Sequence, residues 1–326
     1  MIVVTGGAGF IGSNLVRGLN ARGREDVLVV DRLDAAKLPN LAGLGFLDFV
    51  DKDDFLARLP SLRGVEAILH QGACSDTTCS DGRYLLHNNT EYSQTLLAWA
   101  LEQRLPFVYA SSAAVYGGSS AFREERACER PLNLYAFSKL LFDQRVRRVL
   151  PSAPSPIVGL RYFNVYGPGE AHKGQMASMV FHWHRQLRDK GRLGLFVGSG
   201  GYADGEQRRD FISVDDVVAV NLWFLDRRDR SGIFNVGTGR AATWNELARA
   251  VIRTAGRGEI EYIPFPPGLE ARYQSFTEAD LGALRAAGYA APFATVAEAV
   301  PRYLAALGLS SPALPRAESP TKTRKK

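Results

Sequence analysis

The sequence predicts an α/β fold: a doubly wound parallel sheet followed by a smaller C-terminal lobe. Three observations predict it. Short apolar, partly β-branched runs alternate with helix-periodic ones through the first half of the 326-residue chain. A glycine-rich turn sits directly between the first apolar run and the first helical segment. Hydrophobic residues make up 46% and charged residues 23%, which is ordinary globular usage with enough apolar material for a large core.

The elements follow in order. Residues 2–5 read as the first strand, 12–22 as a helix, and 27–31 and 67–71 as the next two strands. A long helix is expected over 84–102, a strand over 107–111, a helix over 135–150 and a strand over 157–162. These strands show continuous apolar runs rather than alternation, as strands buried on both faces do. The second half is less regular, with a glycine-rich loop at 198–205, the run Asp210-Phe211-Ile212-Ser213-Val214-Asp215-Asp216 and a proline-rich stretch at 264–267. No internal repeat is present. The expected division is a cofactor domain over 1–164 plus about 208–238, and a substrate domain over about 165–207 plus 239–308.

Composition excludes several classes of function. The longest apolar stretches, 95–101 and 217–225, fall far short of the roughly 20 residues a spanning helix needs. Met1-Ile2-Val3-Val4-Thr5-Gly6 shows neither a basic n-region nor a cleavage site, so a cytoplasmic location is expected. Cys74, Cys79 and Cys128 are too few and too scattered for a disulfide framework or a zinc site, and no metal is expected. The net charge is +6, but residues 310–326 carry +4 of it, from Arg316, Lys322, Arg324, Lys325 and Lys326 against Glu318. With Pro312, Pro315 and Pro320 in the same stretch, residues 309–326 read as a disordered basic tail rather than a nucleic-acid or membrane-binding arm.

Gly6-Gly7-Ala8-Gly9-Phe10-Ile11-Gly12 satisfies both Gly-x-x-Gly-x-x-Gly and Gly-x-Gly-x-x-Gly. A strand precedes it, a helix follows, and Asp31 stands nineteen positions beyond Gly12. That context points to a dinucleotide whose pyrophosphate rests on the helix N-terminus, in a Rossmann-type fold. Asp31 suits the adenosine ribose hydroxyls of NAD. Arg32 beside it, with Lys37 and Lys52 nearby, suits a 2′-phosphate, so NADP is the expected cofactor and NAD the less favoured one. Gln71-Gly72-Ala73-Cys74-Ser75 ends the third of these strands where the cofactor would pass, with Cys74 expected as a small buried packing residue.

Tyr135-Ala136-Phe137-Ser138-Lys139 is Tyr-x-x-x-Lys, which puts a phenol and an ammonium on one helical face. A fixed cation beside a tyrosine, together with the positive nicotinamide ring, is expected to lower its pKa toward that of a usable base. Lys139 can also hold the nicotinamide ribose, and Ser112 stands at a strand end where it can hydrogen-bond a substrate hydroxyl.

With these residues the chain resembles the extended short-chain dehydrogenases/reductases that act on nucleotide sugars. Ser111-Ser112-Ala113-Ala114-Val115-Tyr116-Gly117, Arg161-Tyr162-Phe163-Asn164-Val165-Tyr166-Gly167-Pro168 and Arg209-Asp210-Phe211 carry that likeness. His172-Lys173-Gly174, Met176-Ala177-Ser178, Arg272-Tyr273-Gln274 and the stretches 72–75, 220–225 and 258–266 narrow it to the ADP-L-glycero-D-manno-heptose 6-epimerase family, over residues 1–308. The resemblance implies that the sugar C6″ is oxidised by bound NADP and that hydride returns to the opposite face. It implies a role in lipopolysaccharide core biosynthesis and a homo-oligomer, a pentamer in that family. It implies Tyr135 and Lys173 as the two acid/base groups, with Lys139 and Ser112 supporting. Lys173, Asn88 and Val165 join the cofactor contacts on the same ground. Asn164, Gln175, His182, Phe196, Val197, Gly198, Ser199, Arg209 and Tyr273 match the sugar-nucleotide contacts. Arg209 suits a pyrophosphate, against the alternative of a salt bridge to Asp210, and His182 and His184 are expected on one helix with Met176 and Met179. Gln175 stands where a Ser is usual, Gln71 where a Glu is usual, and the loop 198–207 is longer and richer in glycine than the pattern.

Other readings compete. A 4,6-dehydratase needs an acid where this chain has Ala113-Ala114. A 4-epimerase acting on a UDP-hexose needs only one base, and Lys173 with the narrowing strings argues against it. A non-catalytic NADP(H)-binding regulator would be expected to lose Ser112, Tyr135 or Lys139, and this chain keeps all three.

Overall fold

The computed structural model describes residues 1–270 and 273–309. Thirteen strands are formed among them: β1 (Ile2–Thr5), β2 (Val27–Asp31), β3 (Asp48–Asp51), β4 (Ala67–His70), β5 (Phe107–Ser112), β6 (Ile157–Tyr162), β7 (Asn164–Tyr166), β8 (Arg192–Phe196), β9 (Arg208–Arg209), β10 (Phe211–Ser213), β11 (Gly232–Val236), β12 (Ala242–Thr243) and β13 (Glu259–Ile263). Seven make one sheet in the order β11-β6-β5-β4-β1-β2-β3, and every pairing in it is parallel. The order reverses at β1, the switch point beside which a parallel sheet opens a crevice at its strand ends.

Period-2 geometry explains the continuous apolar runs. Ile2, Val4, Val27 and Val29 face one core with Leu15, Val16 and Leu19 of the helix Phe10–Asn20 and with Val217 and Val220 of the helix Val214–Asp226. Val3, Leu28 and Val30 face the other, against Leu96, Leu97 and Ala100 of the helix Tyr92–Glu102 and Phe142 and Val146 of the helix Leu134–Val149. Both faces are dry, so alternation has nothing to report. A third core joins the helices Met179–Lys190, Trp244–Ala255 and Val296–Ala306 to β8. Capping boxes at Thr243/Glu246 and Thr295/Glu298 start the last two of these helices.

The structure departs from the sequence reading in several places. The helix expected over 84–102 is Gly82–Leu85 and Tyr92–Glu102 joined by six residues of π-helix, Leu86–Glu91. Strands β3 and β11 were not foreseen; both lie on the edges of the sheet. Met176 is not on a helix with His182 and His184 but ends the 3-10 turn Ala171–Met176, because Ser178 caps the next helix and starts it at Met179. Leu309, expected in the tail, packs on the third core; the rest of the expected tail lies outside the described residues.

Candidate active site

The carboxyl ends of β1, β4, β5 and β6 open onto a cleft of about 790 Å³. Its floor is the glycine turn. Gly6 has φ +67°, and a Cβ there would lie 2.7 Å from the Gly72 nitrogen. A Cβ on Gly12 would lie 2.0 Å from the Gly6 carbonyl oxygen. The first helix therefore packs directly on the turn, and no side chain caps its N-terminus. Uncapped N–H groups on a backbone with no room for Cβ atoms fit a pyrophosphate, so the turn suits a dinucleotide on its own geometry. His70 fixes the turn to its neighbour: its ring nitrogens lie 2.6 Å from Thr5 Oγ1 and 2.7 Å from Ser93 Oγ. Burial drives its pKa down to about 3, so it is a neutral hydrogen-bonding spacer.

At the adenosine end Asp31 is buried and already bonded. It accepts from the Ala8 and Arg32 N–H groups at 3.0 and 2.7 Å and pairs with Lys37 Nζ at 2.7 Å. Arg32 is exposed on the same rim, and Lys52 pairs with Asp53 at 2.5 Å. The opposite edge carries the strand-end loop. Gln71, Gly72, Ala73, Cys74 and Ser75 all line the cleft, as do Gly9, Phe10, Ile11, Asn88 and Val165. Gln71, in place of the usual Glu, is part of a neutral network, with Tyr162 OH 3.0 Å from its Oε1 and its Nε2 donating to Asn221 Oδ1 at 3.3 Å. Cys74 is half-buried on the cleft wall rather than buried in packing, because its loop turns outward from β4; burial pushes its thiol up, away from thiolate chemistry.

Tyr135 and Lys139 project from one face of the helix Leu134–Val149 into the cleft, which Ser112 at the end of β5 also lines. Lys139 Nζ donates to the Ala110 carbonyl at 2.9 Å, and burial holds its pKa at about 8. In the chain alone burial raises the Tyr135 phenol, with Ser112 opposing; the expected lowering calls on the positive nicotinamide ring as well. The ammonium is engaged by the backbone and is not a contributor to the Tyr135 shift. Lys173 reaches the same cleft from the turn Ala171–Met176 and is half-buried, not a solvated loop cation. Its Nζ lies 5.3 Å from the centre of the Phe10 ring, and burial lowers its pKa against the opposing charge of Glu170.

The remaining candidates divide. Asn164 lines the cleft with Ser112; Gln175, His182, Phe196, Val197, Gly198, Ser199, Arg209 and Tyr273 do not. Gln175 is exposed, and its carbonyl lies 3.4 Å from His182 Nε2. The others gather beside the cleft around an aromatic cluster. Phe196 stacks on Phe265 at 4.4 Å, Tyr273 stands edge-on to both, and the Arg209 guanidinium lies 4.9 Å over the Tyr273 ring. Gln207 Nε2 donates to Val197 O and Ser199 Oγ and holds the long loop down. The salt bridge considered for Arg209 does not form, because Asp210 is occupied by the N–H groups of Thr238, Gly239 and Ala279. Arg209 is thus a buried cation among aromatic rings, suited to an anion. Arg272 lies outside the described residues.

Sequence reasoning missed Asn89, Met176 and Trp244. Asn89 is buried; its amide bonds both the N–H and the carbonyl of Cys74 and reaches Ser138 Oγ, clasping the loop to the helix Leu134–Val149. It stands in the polar run His87-Asn88-Asn89-Thr90-Glu91, where nothing in the sequence marks one residue as buried. Met176 lines the cleft and accepts from Thr77 Oγ1 at 3.7 Å, and Trp244 lines it from the second lobe.

Comparison with known proteins agrees with this geometry. Residues 2–237 match the model of the NAD dependent epimerase/dehydratase family. ADP-L-glycero-D-manno-heptose-6-epimerase of Alkalilimnicola ehrlichii is 57% identical over 97% of this chain and 100% of its own length. Among solved structures, the Helicobacter pylori ADP-L-glycero-D-manno-heptose-6-epimerase is 31% identical with a TM-score of 0.84, over 94% of this chain and 96% of that one. A Thermus thermophilus UDP-glucose 4-epimerase in complex with NAD is 29% identical with a TM-score of 0.75, over 93% and 97%.

Proposed function

The chain belongs to the NAD dependent epimerase/dehydratase family, and from that premise we propose that it inverts C6″ of ADP-D-glycero-β-D-manno-heptose to give the L-glycero epimer. The 57% identity to a relative of that name supports the substrate. The observation that carries the chemistry is that Tyr135 and Lys173 reach one cleft from two unconnected elements.

A nicotinamide cofactor held by the Gly6–Gly12 turn and Asp31 would supply the exchange of hydride with C6″; every proton step falls to the chain. Tyr135 and Ser112 hold the oxygen at C6″ from the end of β5, and Tyr135 exchanges its proton. The ketone then turns over so that its other face meets the hydride, which carries its oxygen to a different side of the cleft. Lys173 meets it there. A phenol fixed on a helix cannot serve both positions. Arg209 and the rings of Phe196 and Tyr273 are assigned to the nucleotide end of the substrate. The cofactor is assigned as NADP: Arg32 and Lys37 border Asp31, whose own acceptor sites are largely taken by Ala8, Arg32 and Lys37. The cofactor half is 1–164 with 208–238, the substrate half 165–207 with 239–308, and the assembly a homo-oligomer. The product's use is lipopolysaccharide core synthesis in the cytoplasm; among the described residues no helix is long and apolar enough to cross a membrane.

Lys173→Met tests the reading. It should cut epimerisation, read as interconversion of the two ADP-heptoses, by about 10²-fold or more. Hydride exchange on the epimer whose oxygen faces Tyr135 should survive. A wild-type rate would sink the two-base scheme and bring the single-base 4-epimerase reading forward.

A further inference from the structure

The segment that carries Lys173 is held by a carboxylate in an unusual position. Glu170 is fully buried, 0% exposed, and its hydrogen-bond partners are uncharged. It accepts from Ser178 N at 2.5 Å and Ser178 Oγ at 2.6 Å, from Tyr303 OH at 2.8 Å, and from Gly167 N at 3.3 Å. These donors come from three places: the loop after β7, the start of the helix Met179–Lys190, and the C-terminal helix Val296–Ala306. Residues 171–177 are therefore a closed loop pinned at its base, with the Lys173 N–H donating to the Glu170 carbonyl at 2.9 Å.

Burying a carboxylate without a cation costs several kcal/mol even when it is hydrogen-bonded. A glutamine of the same length would keep an acceptor for Gly167 N, Ser178 Oγ and Tyr303 OH, but it would turn an amide N–H toward the Ser178 N–H that Oε2 accepts from. The carboxylate thus supplies two things, a second acceptor oxygen for Ser178 N and a negative charge three residues before Lys173. We propose that Glu170 is a positioning residue: it closes the loop that presents the Lys173 ammonium to the substrate and its charge sets how readily that ammonium gives up its proton. The inference rests on the reading of Lys173 as the second acid/base group. The other charged or titratable groups around this turn are His172 on the turn itself, with Lys37 and Asp31 facing His172 from the segment after β2. The remaining neighbour of Lys173 from that side is the uncharged Phe10 ring. Glu170, three residues before Lys173 and joined to it by the Lys173 N–H to Glu170 carbonyl bond, is the carboxylate of this turn, and its charge opposes the effect of burial on Lys173.

The experiment is the pH–rate profile of the full chain with its cofactor bound, in the direction in which Lys173 takes the hydroxyl proton. The acid limb then reports Lys173 losing its proton. Removing a nearby negative charge favours the neutral amine, so in Glu170→Gln the limb should move down by about one pH unit. The plateau should fall about tenfold, with KM changed by less than about threefold. Glu170→Asp keeps the charge but shortens the reach, so its plateau should fall while its limb stays at the wild-type position. A Glu170→Gln limb that does not move, whatever its plateau, overturns the charge role, and wild-type plateaus in both variants overturn the positioning role. Should Glu170→Gln not fold, Tyr303→Phe removes one donor and keeps the charge. Its plateau should fall about threefold with the limb in place, and an unchanged plateau counts against the proposal. The two failures are separable: a fully active Lys173→Met sinks the two-base reading, whereas an inactive one beside unaltered Glu170 variants sinks this inference alone.

Discussion

Tyr135 and Lys173 border one cleft but are held in different ways. Tyr135 rides a 16-residue helix whose back is locked by charge. Asp143 on that helix accepts from Tyr109 OH at 2.8 Å, from Ser111 Oγ at 2.9 Å and from Arg161 Nε at 2.9 Å, and Arg161 also bonds Glu129, which pairs with Arg147. Asp143 and Arg161 are both 0% exposed. Lys173 rides a six-residue 3-10 turn with Gly174 at φ 55° inside it, held at its base by one carboxylate. The helix gives fixed spacing, so a phenol and an ammonium keep their relation. The turn gives reach, so a third group can approach from a direction the helix does not offer.

The contrast can be broken at its strongest point first. Arg161→Met strands the buried Asp143 carboxylate and leaves Glu129 with Arg147 alone. Urea unfolding should show a loss of about 3–5 kcal/mol. Stability near wild type would mean that something other than this network locks the Tyr135 wall. The turn wall extends toward the adenosine end through His172 and Lys37, which makes cofactor choice a second probe. Arg32→Glu should weaken NADP binding about tenfold more than NAD binding, measured by titration calorimetry on the cofactor-free protein. Equal losses would remove the 2′-phosphate assignment. The smallest effect is expected at the C-terminus. A chain ending at Leu309 keeps Tyr303 and the packed end of the third core, so its melting temperature and turnover should match those of the full chain. A fall in either would show that the turn wall draws support from residues 310–326.

The same contrast explains what was legible in the sequence. The glycine turn, Tyr135 and Lys139 announce themselves because each rests on a fixed local period: a strand into a tight turn, or i and i+4 on a helix. Ser112 follows from the strand end. Lys173 has no period to mark it and was identified only by family likeness. Glu170 and Asp143 were not singled out, because a buried carboxylate and a surface one look alike in sequence until their partners are known. Asn89, Met176 and Trp244 depend on contacts between segments far apart in the chain. The burial of Tyr135 was hidden for a related reason. The spacing showed the nearby cation, but not the burial, which outweighs it, nor the carbonyl that holds the cation.

The six π-helical residues, Leu86–Glu91, have an evolutionary consequence. A π turn is what remains when one residue is inserted into an α-helix that is already packed. Deleting one residue here would restore a regular helix and should make the isolated segment more favourable. The helices on either side would keep their register, but the widened turn would present one side chain fewer. Asn88 and Asn89 could not then both keep their directions, and the clasp on Cys74 would open. Selection at this point therefore acts on the length of the segment as well as on the identity of its residues, and a homologue shortened here by one residue should bind its cofactor in an altered cleft however similar its side chains remain.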